Sequence, residues 1–97
     1  MKPFSPAAST VNIDVSSSSQ RVLLGRGVEN VRIMNDGTAT VWLRFGDVTV
    51  TSAVATGFPV GPGVTEVLKP AETGDIYVAA IAAGSTGKIH FTPGVGI

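Results

Sequence analysis

His90 is the single histidine of the chain and lies between Ile89 and Phe91. Neighbours in an extended strand point to opposite faces, so an imidazole between two core-seeking residues projects to solvent. It has no second histidine and no carboxylate near it in sequence, the partners a metal ligand or general base needs, and is read as an inert surface group. Asp14, Asp36, Asp47 and Asp75 are scattered without the alternate-position spacing of a calcium loop, and two of them fall at turns, where a carboxylate satisfies backbone donors. The absence of cysteine removes thiol catalysis, thiolate metal sites and disulfides. Gly25-Arg26-Gly27 begins like a dinucleotide fingerprint, but the third glycine is missing and a strand follows, so no helix N-terminus would meet a phosphate. Three glutamates and no aromatic groove give little basis for paired-carboxylate glycosidase chemistry. These residues predict a protein that is not an enzyme and holds no metal or cofactor.

The elements that must carry these side chains are strands. Val31-Arg32-Ile33-Met34 and Thr38 to Gly46 are alternating runs separated by Asn35-Asp36-Gly37, which predicts an antiparallel hairpin. A three-residue loop with Gly37 in the left-handed bulge position pairs Val31 with Val41, Ile33 with Ala39 and Arg32 with Thr40, so that apolar faces apolar. On that register Trp42 shares its face with Thr40, Arg44, Asn30 and Arg32. A large aromatic on the polar side, beside arginines, has two readings: the centre of a protein interface, or a ring covered by the chain's own loops and long side chains. Phe58-Pro59-Val60, at a glycine-flanked tip, is either a plug capping the open end of the fold or a partner contact.

The remaining segments continue the pattern. Residues 1–9 read as an extended arm, with two prolines, and residues 10–97 as one domain. Candidate strands cover 10–15, 20–24, the two hairpin arms, 48–53, 64–68, 76–82 and 88–92, while the proline and glycine content of 57–63 predicts an irregular loop. About eight short strands with regular turn signals and no helical periodicity predict an all-β, single antiparallel β-sandwich of jelly-roll or Greek-key kind. Its expected core is Val11, Ile13, Val31, Ile33, Val41, Leu43, Phe45, Val48, Val50, Val67, Ile76, Val78, Ile89 and Phe91.

Charged residues make up 14% of the chain and the formal net charge is zero, so the exterior is largely Ser, Thr, Gly and Ala. Such a surface has little colloidal protection, which predicts coverage by other subunits in a homo-oligomer, a dimer or a trimer. Seven singly spaced Lys and Arg cannot follow a phosphate backbone, and no run approaches bilayer length, so neither nucleic acid nor membrane is an expected partner.

In its order of segments the chain resembles a family of small virion proteins of tailed bacteriophages. The resemblance rests on Val31-Arg32-Ile33 with Asn35, Gly37 to Val41, Phe45-Gly46-Asp47, the Pro59 to Gly63 turn leading into Val64 to Leu68, Val78 to Ile81, and Phe91 to Gly96. It spans roughly residues 28–97 and carries no catalytic motif. It implies a capsid decoration or cement protein, bound to the major capsid protein on the virion surface and present in the host cytoplasm during assembly. Arg32, Trp42, Arg44, Phe58, Pro59 and Val60 are the candidate interface residues. A tail or head-spike component is the alternative within virions, and a carbohydrate-binding jelly roll with Trp42 as stacking platform is the alternative outside that class.

Overall fold

Period-two alternation organises the chain in a computed structural model that describes residues 4–6, 9–26, 28–54, 56–70, 74–83 and 87–95. In Val11–Val15 the side chains of Ile13 and Val15 are buried while Asn12 and Asp14 are exposed, and in Asn30–Asn35 the buried set is Val31, Ile33 and Asn35. Such a strand buries one face and wets the other, which is the condition for a two-layer β-fold. The strands are β1 (Ser5–Pro6), β2 (Val11–Val15), β3 (Gln20–Arg26), β4 (Asn30–Asn35), β5 (Val41–Gly46), β6 (Phe58–Val60), β7 (Thr65–Leu68), β8 (Asp75–Ala82) and β9 (Gly87–Val95). No helix occurs among the described residues.

Every ladder is antiparallel, and the pairings nest. β2 pairs with β9, β3 with β8, β4 with β7 and β5 with β6. Two further ladders, β4 with β9 and β5 with β8, close the strands into a five-stranded sheet, in which β9 is flanked by β1 and β2 on one side and by β4 and then β7 on the other, and a four-stranded sheet of order β3-β8-β5-β6. This is a long hairpin rolled around a core, a jelly roll, and the expected all-β sandwich is the fold observed. Of the expected N-terminal arm, residues 1–3, 7 and 8 lie outside the described residues. Ser5 and Pro6 lie opposite Val95 and Gly94, on the same flank of β9 as β2.

The core comprises Ile13, Val15, Leu24, Val31, Ile33, Val41, Leu43, Val60, Ile76, Val78, Ala80, Ala82, Ile89 and Phe91, with Val11, Val22, Val28, Phe45 and Leu68 packed against it. Three sequence expectations are corrected. First, β4 and β5 do not form a hairpin. Val31 lies opposite Leu68 and Pro93, Val41 lies opposite Val60 and Ala82, and residues 36–40 are an arch from one sheet to the other. Gly37 is absent from the positive-φ glycines, which are Gly25, Gly63 and Gly74. Alternation requires Val31 and Val41 to share a core, and facing each other across two layers meets that requirement as well as a ladder does.

Second, residues 48–53 form no strand. Val48 is 53% exposed, and neither Val50 nor Val67 joins the core. Third, Phe58–Val60 is a strand rather than an irregular tip, and Val60 is a core residue at 1% exposure. β6 is an edge strand, where the donor missing from Pro59 is tolerated. The jog in β3 between Leu23 and Gly25 is a bulge, and Gly25 has φ +136°, a backbone conformation that favours glycine.

Asn35 fastens the arch. It is fully buried, and its side-chain amide donates to the carbonyls of Ala39 and Val60, both at 2.9 Å, while its Oδ1 accepts the Gly37 N–H at 3.0 Å. Its backbone also pairs with the next turn, through Asn35 N–H to Val64 O at 3.1 Å and Gly63 N–H to Asn35 O at 2.9 Å. One polar side chain thus satisfies the main chain where both sheets meet.

Candidate functional site

The two outer faces of the sandwich are finished differently. In β5 the core takes Val41, Leu43 and Phe45, so Trp42, Arg44 and Gly46 point outward, opposite Ile81, Ala79 and Tyr77 of β8. Residues 47–54, 56 and 57 fold back over the β5 part of this face. A Cβ placed on Gly46 would lie 2.9 Å from the Val50 side chain, which is the close approach that requires a glycine there. Arg44 Nη2 donates to Thr56 O at 3.1 Å, Ser52 Oγ donates to Trp42 O at 2.8 Å, and Ser52 N–H donates to Ser19 Oγ at 3.0 Å. Trp42 is half-buried.

A turn opens this roof. The Thr49 hydroxyl and backbone N–H both donate to Asp47 Oδ1, at 2.5 and 2.8 Å. The hydroxyl bond, then the backbone one, holds the Asp47 carboxyl below its ordinary pKa. A lowered carboxylate pKa means that the turn is favoured above the unfolded-state value and loses that support as pH falls through the folded one. Thr49→Val is expected to return Asp47 toward the ordinary range, read by carboxyl-carbon NMR titration. An unchanged midpoint would show that the hydroxyl does not set it.

The outer face of the five-stranded sheet has no such cover among the described residues. Cross-strand registers set Thr92 of β9 beside Arg32 of β4, and Arg32 beside Val67 of β7. The next outward row is Asn12, His90, Met34 and Thr65. Between them lies an open depression of about 380 Å³ lined by Thr10, Arg32, Met34, His90 and Thr92. Thr10 and Thr92 bond each other through their hydroxyls at 2.7 Å. His90 Nε2 lies 3.7 Å from Asp36 Oδ2, and Lys88 Nζ lies 3.5 Å from Asp14 Oδ1. The Arg32 guanidinium has no hydrogen bond or ion pair among the described residues. Met34 is 46% exposed.

The residues singled out in the sequence are therefore distributed over the molecule. Trp42 and Arg44 lie on the outer face of β5, bonded to Ser52 and Thr56, whereas Arg32 lies on the opposite outer face, because β4 and β5 belong to different sheets. Pro59 lies opposite Trp42 on the edge strand, Phe58 is 43% exposed at that edge, and Val60 is in the core. His90, Thr92, Met34 and Thr10 gather around Arg32. Their outward direction was readable from alternation, but their adjacency depends on β9 lying between β2 and β4, for which no local signal exists. Among the described residues no group of three His, Asp or Glu could hold a metal ion. No family model, no curated protein and no solved structure matches this chain.

Proposed function

We propose that this protein is a structural, adhesive module of the tailed-phage decoration type, attached to a capsid lattice as a dimer or trimer and acting through surface contact rather than catalysis. The observation that carries this reading is the asymmetry of the two faces. One is partly covered, over β5, by the chain's own loop, and the other is a sheet surface without such a loop among the described residues, holding an arginine with no ion-pair partner there and an exposed methionine. Arginine and methionine are enriched at protein interfaces, and a weakly charged sandwich is suited to being packed among other subunits. The resemblance to phage virion proteins supplies the partner, the major capsid protein.

The test is cosedimentation with particles of the phage that encodes the chain. Purified protein added to heads that lack it should pellet with them at a fixed ratio to capsid subunits. The heads should then resist thermal rupture to a higher temperature. Recovery on isolated tails would move the protein to the tail, and recovery on neither would overturn the proposal. Sedimentation equilibrium of the free protein tests the oligomer, and a monomer at all accessible concentrations would remove that part of it.

A further inference from the structure

We infer that the depression around Arg32 is a docking site for an acidic segment of a partner protein, with Arg32 gripping a carboxylate and Met34 receiving an apolar side chain beside it. The inference rests on the adhesive reading but not on the partner being a capsid. Arg32 is the cation of this face that has no ion-pair partner among the described residues. Lys88 is answered by Asp14 and the Asp36 carboxylate lies beside His90 at 3.7 Å, whereas the guanidinium of Arg32 has neither an ion pair nor a hydrogen bond among the described residues.

A guanidinium offers five N–H donors in a planar fork and no acceptor, a geometry that matches a carboxylate through two parallel bonds. Thr10 and Thr92 spend one hydroxyl hydrogen on their mutual bond, which leaves the other free to turn into the depression. The fork of Arg32 and this free hydroxyl are the donors that an anion in the depression would meet. The other half of the recognition is apolar. Met34, 46% exposed, has a flexible thioether that conforms to irregular side chains, and Val67 stands on the far side of Arg32. A peptide with an acidic residue next to an aliphatic one satisfies both halves. A nucleic-acid backbone satisfies neither, since a single free cation cannot follow successive phosphates and the thioether would face no apolar partner.

The experiment uses the whole protein and two end-capped hexapeptides of sequence Gly-Leu-Glu-Leu-Glu-Gly and Gly-Leu-Gln-Leu-Gln-Gly, followed by amide and methionine-methyl NMR. The glutamate peptide is expected to shift Met34, His90 and Thr92 saturably, and the glutamine peptide is expected to shift them at least tenfold less at equal concentration. Arg32→Ala should weaken the glutamate peptide by roughly tenfold or more, as expected for loss of a charge-assisted pair, with the thermal midpoint unchanged because the side chain is exposed. Met34→Gln should weaken both peptides, and inorganic phosphate should not reproduce the shifts. Equal binding of the two peptides, undiminished binding by Arg32→Ala, or the same shifts with phosphate would each overturn the inference. Failure of the peptide while the protein still pellets with heads would refute the docking chemistry alone. Peptide binding without attachment to heads would refute the capsid reading alone.

Discussion

Asn35→Ala is expected to destabilise the protein by roughly 3–5 kcal/mol, because a buried hydrogen-bonding group left without its partner costs about 1–3 kcal/mol and this side chain serves three of them. The Val60 carbonyl bears the largest share, since its bond to the Asn35 amide is buried, whereas Ala39 and Gly37 lie where water can partly replace the lost partner. For a domain of this size the thermal midpoint should fall by about 4–8 °C for each kcal/mol. Asn35→Asp separates volume from hydrogen bonding. It preserves the shape and the acceptor for the Gly37 N–H but sets an ionised oxygen against two carbonyls. That repulsion raises the folded-state pKa of the introduced carboxyl, so the folded state binds more protons than the unfolded one and stability falls as pH rises between the two values. The variant should be more stable at about pH 4 than at about pH 7, the reverse of an ordinary paired aspartate. Equal stability at both values would show that the amide donors are not what matters at this position.

Gly57→Ala is expected to cost about 2–3 kcal/mol, in the upper part of the range for overpacking. The added Cβ would lie 2.7 Å from Ser52 Oγ, 2.9 Å from Leu43 O and 3.1 Å from Leu43 N. The Leu43 atoms are backbone in a strand held on both sides by β6 and β8 and cannot retreat, and Ser52 is tied to the Trp42 carbonyl. Residues 47–54, 56 and 57 must therefore lift. Trp42 is the chain's one tryptophan, so its emission reports the lifting directly and should shift to the red. Gly61→Ala is the control, because its Cβ would meet nothing nearer than a Val64 methyl at 3.4 Å. Stability and emission matching those of the control would mean that the segment accommodates the methyl group and that the glycine is not required.

These two positions also show where sequence reading stops. Ile13, Ile33, Val78 and Phe91 declare themselves through alternation alone, because a strand with one wet face has a fixed phase. Asn35-Asp36-Gly37 reads as a hairpin turn, yet the same tripeptide serves an arch, and what separates them is whether Asn35 is spent inside the protein. That depends on Val60, which is distant in sequence and is hidden by its proline neighbour. Val48 and Val50 alternate with threonines as well as any strand does, but the fold leaves them no core to face. At the candidate site the sequence identified Arg32 and placed it beside the wrong aromatic. Its actual neighbours, Thr92 and Met34 with His90 beyond, follow from the ladder between β4 and β9, which is a property of the whole topology.

The nested pairing also dictates an order of events. β9 lies between β2 and β4 at the centre of its sheet, and the Thr10–Thr92 hydroxyl bond joins residues 82 apart in the chain. A ribosome releases β2 long before its partner exists, so the early strands must wait, unpaired and with their edges exposed, until β9 emerges. Closing such distant contacts makes folding slow for the size of the domain, as it is for other sandwiches rich in non-local pairs. During that interval the nascent chain is at its most vulnerable to pairing with another copy. The low charge of the chain then offers little electrostatic protection against misassembly.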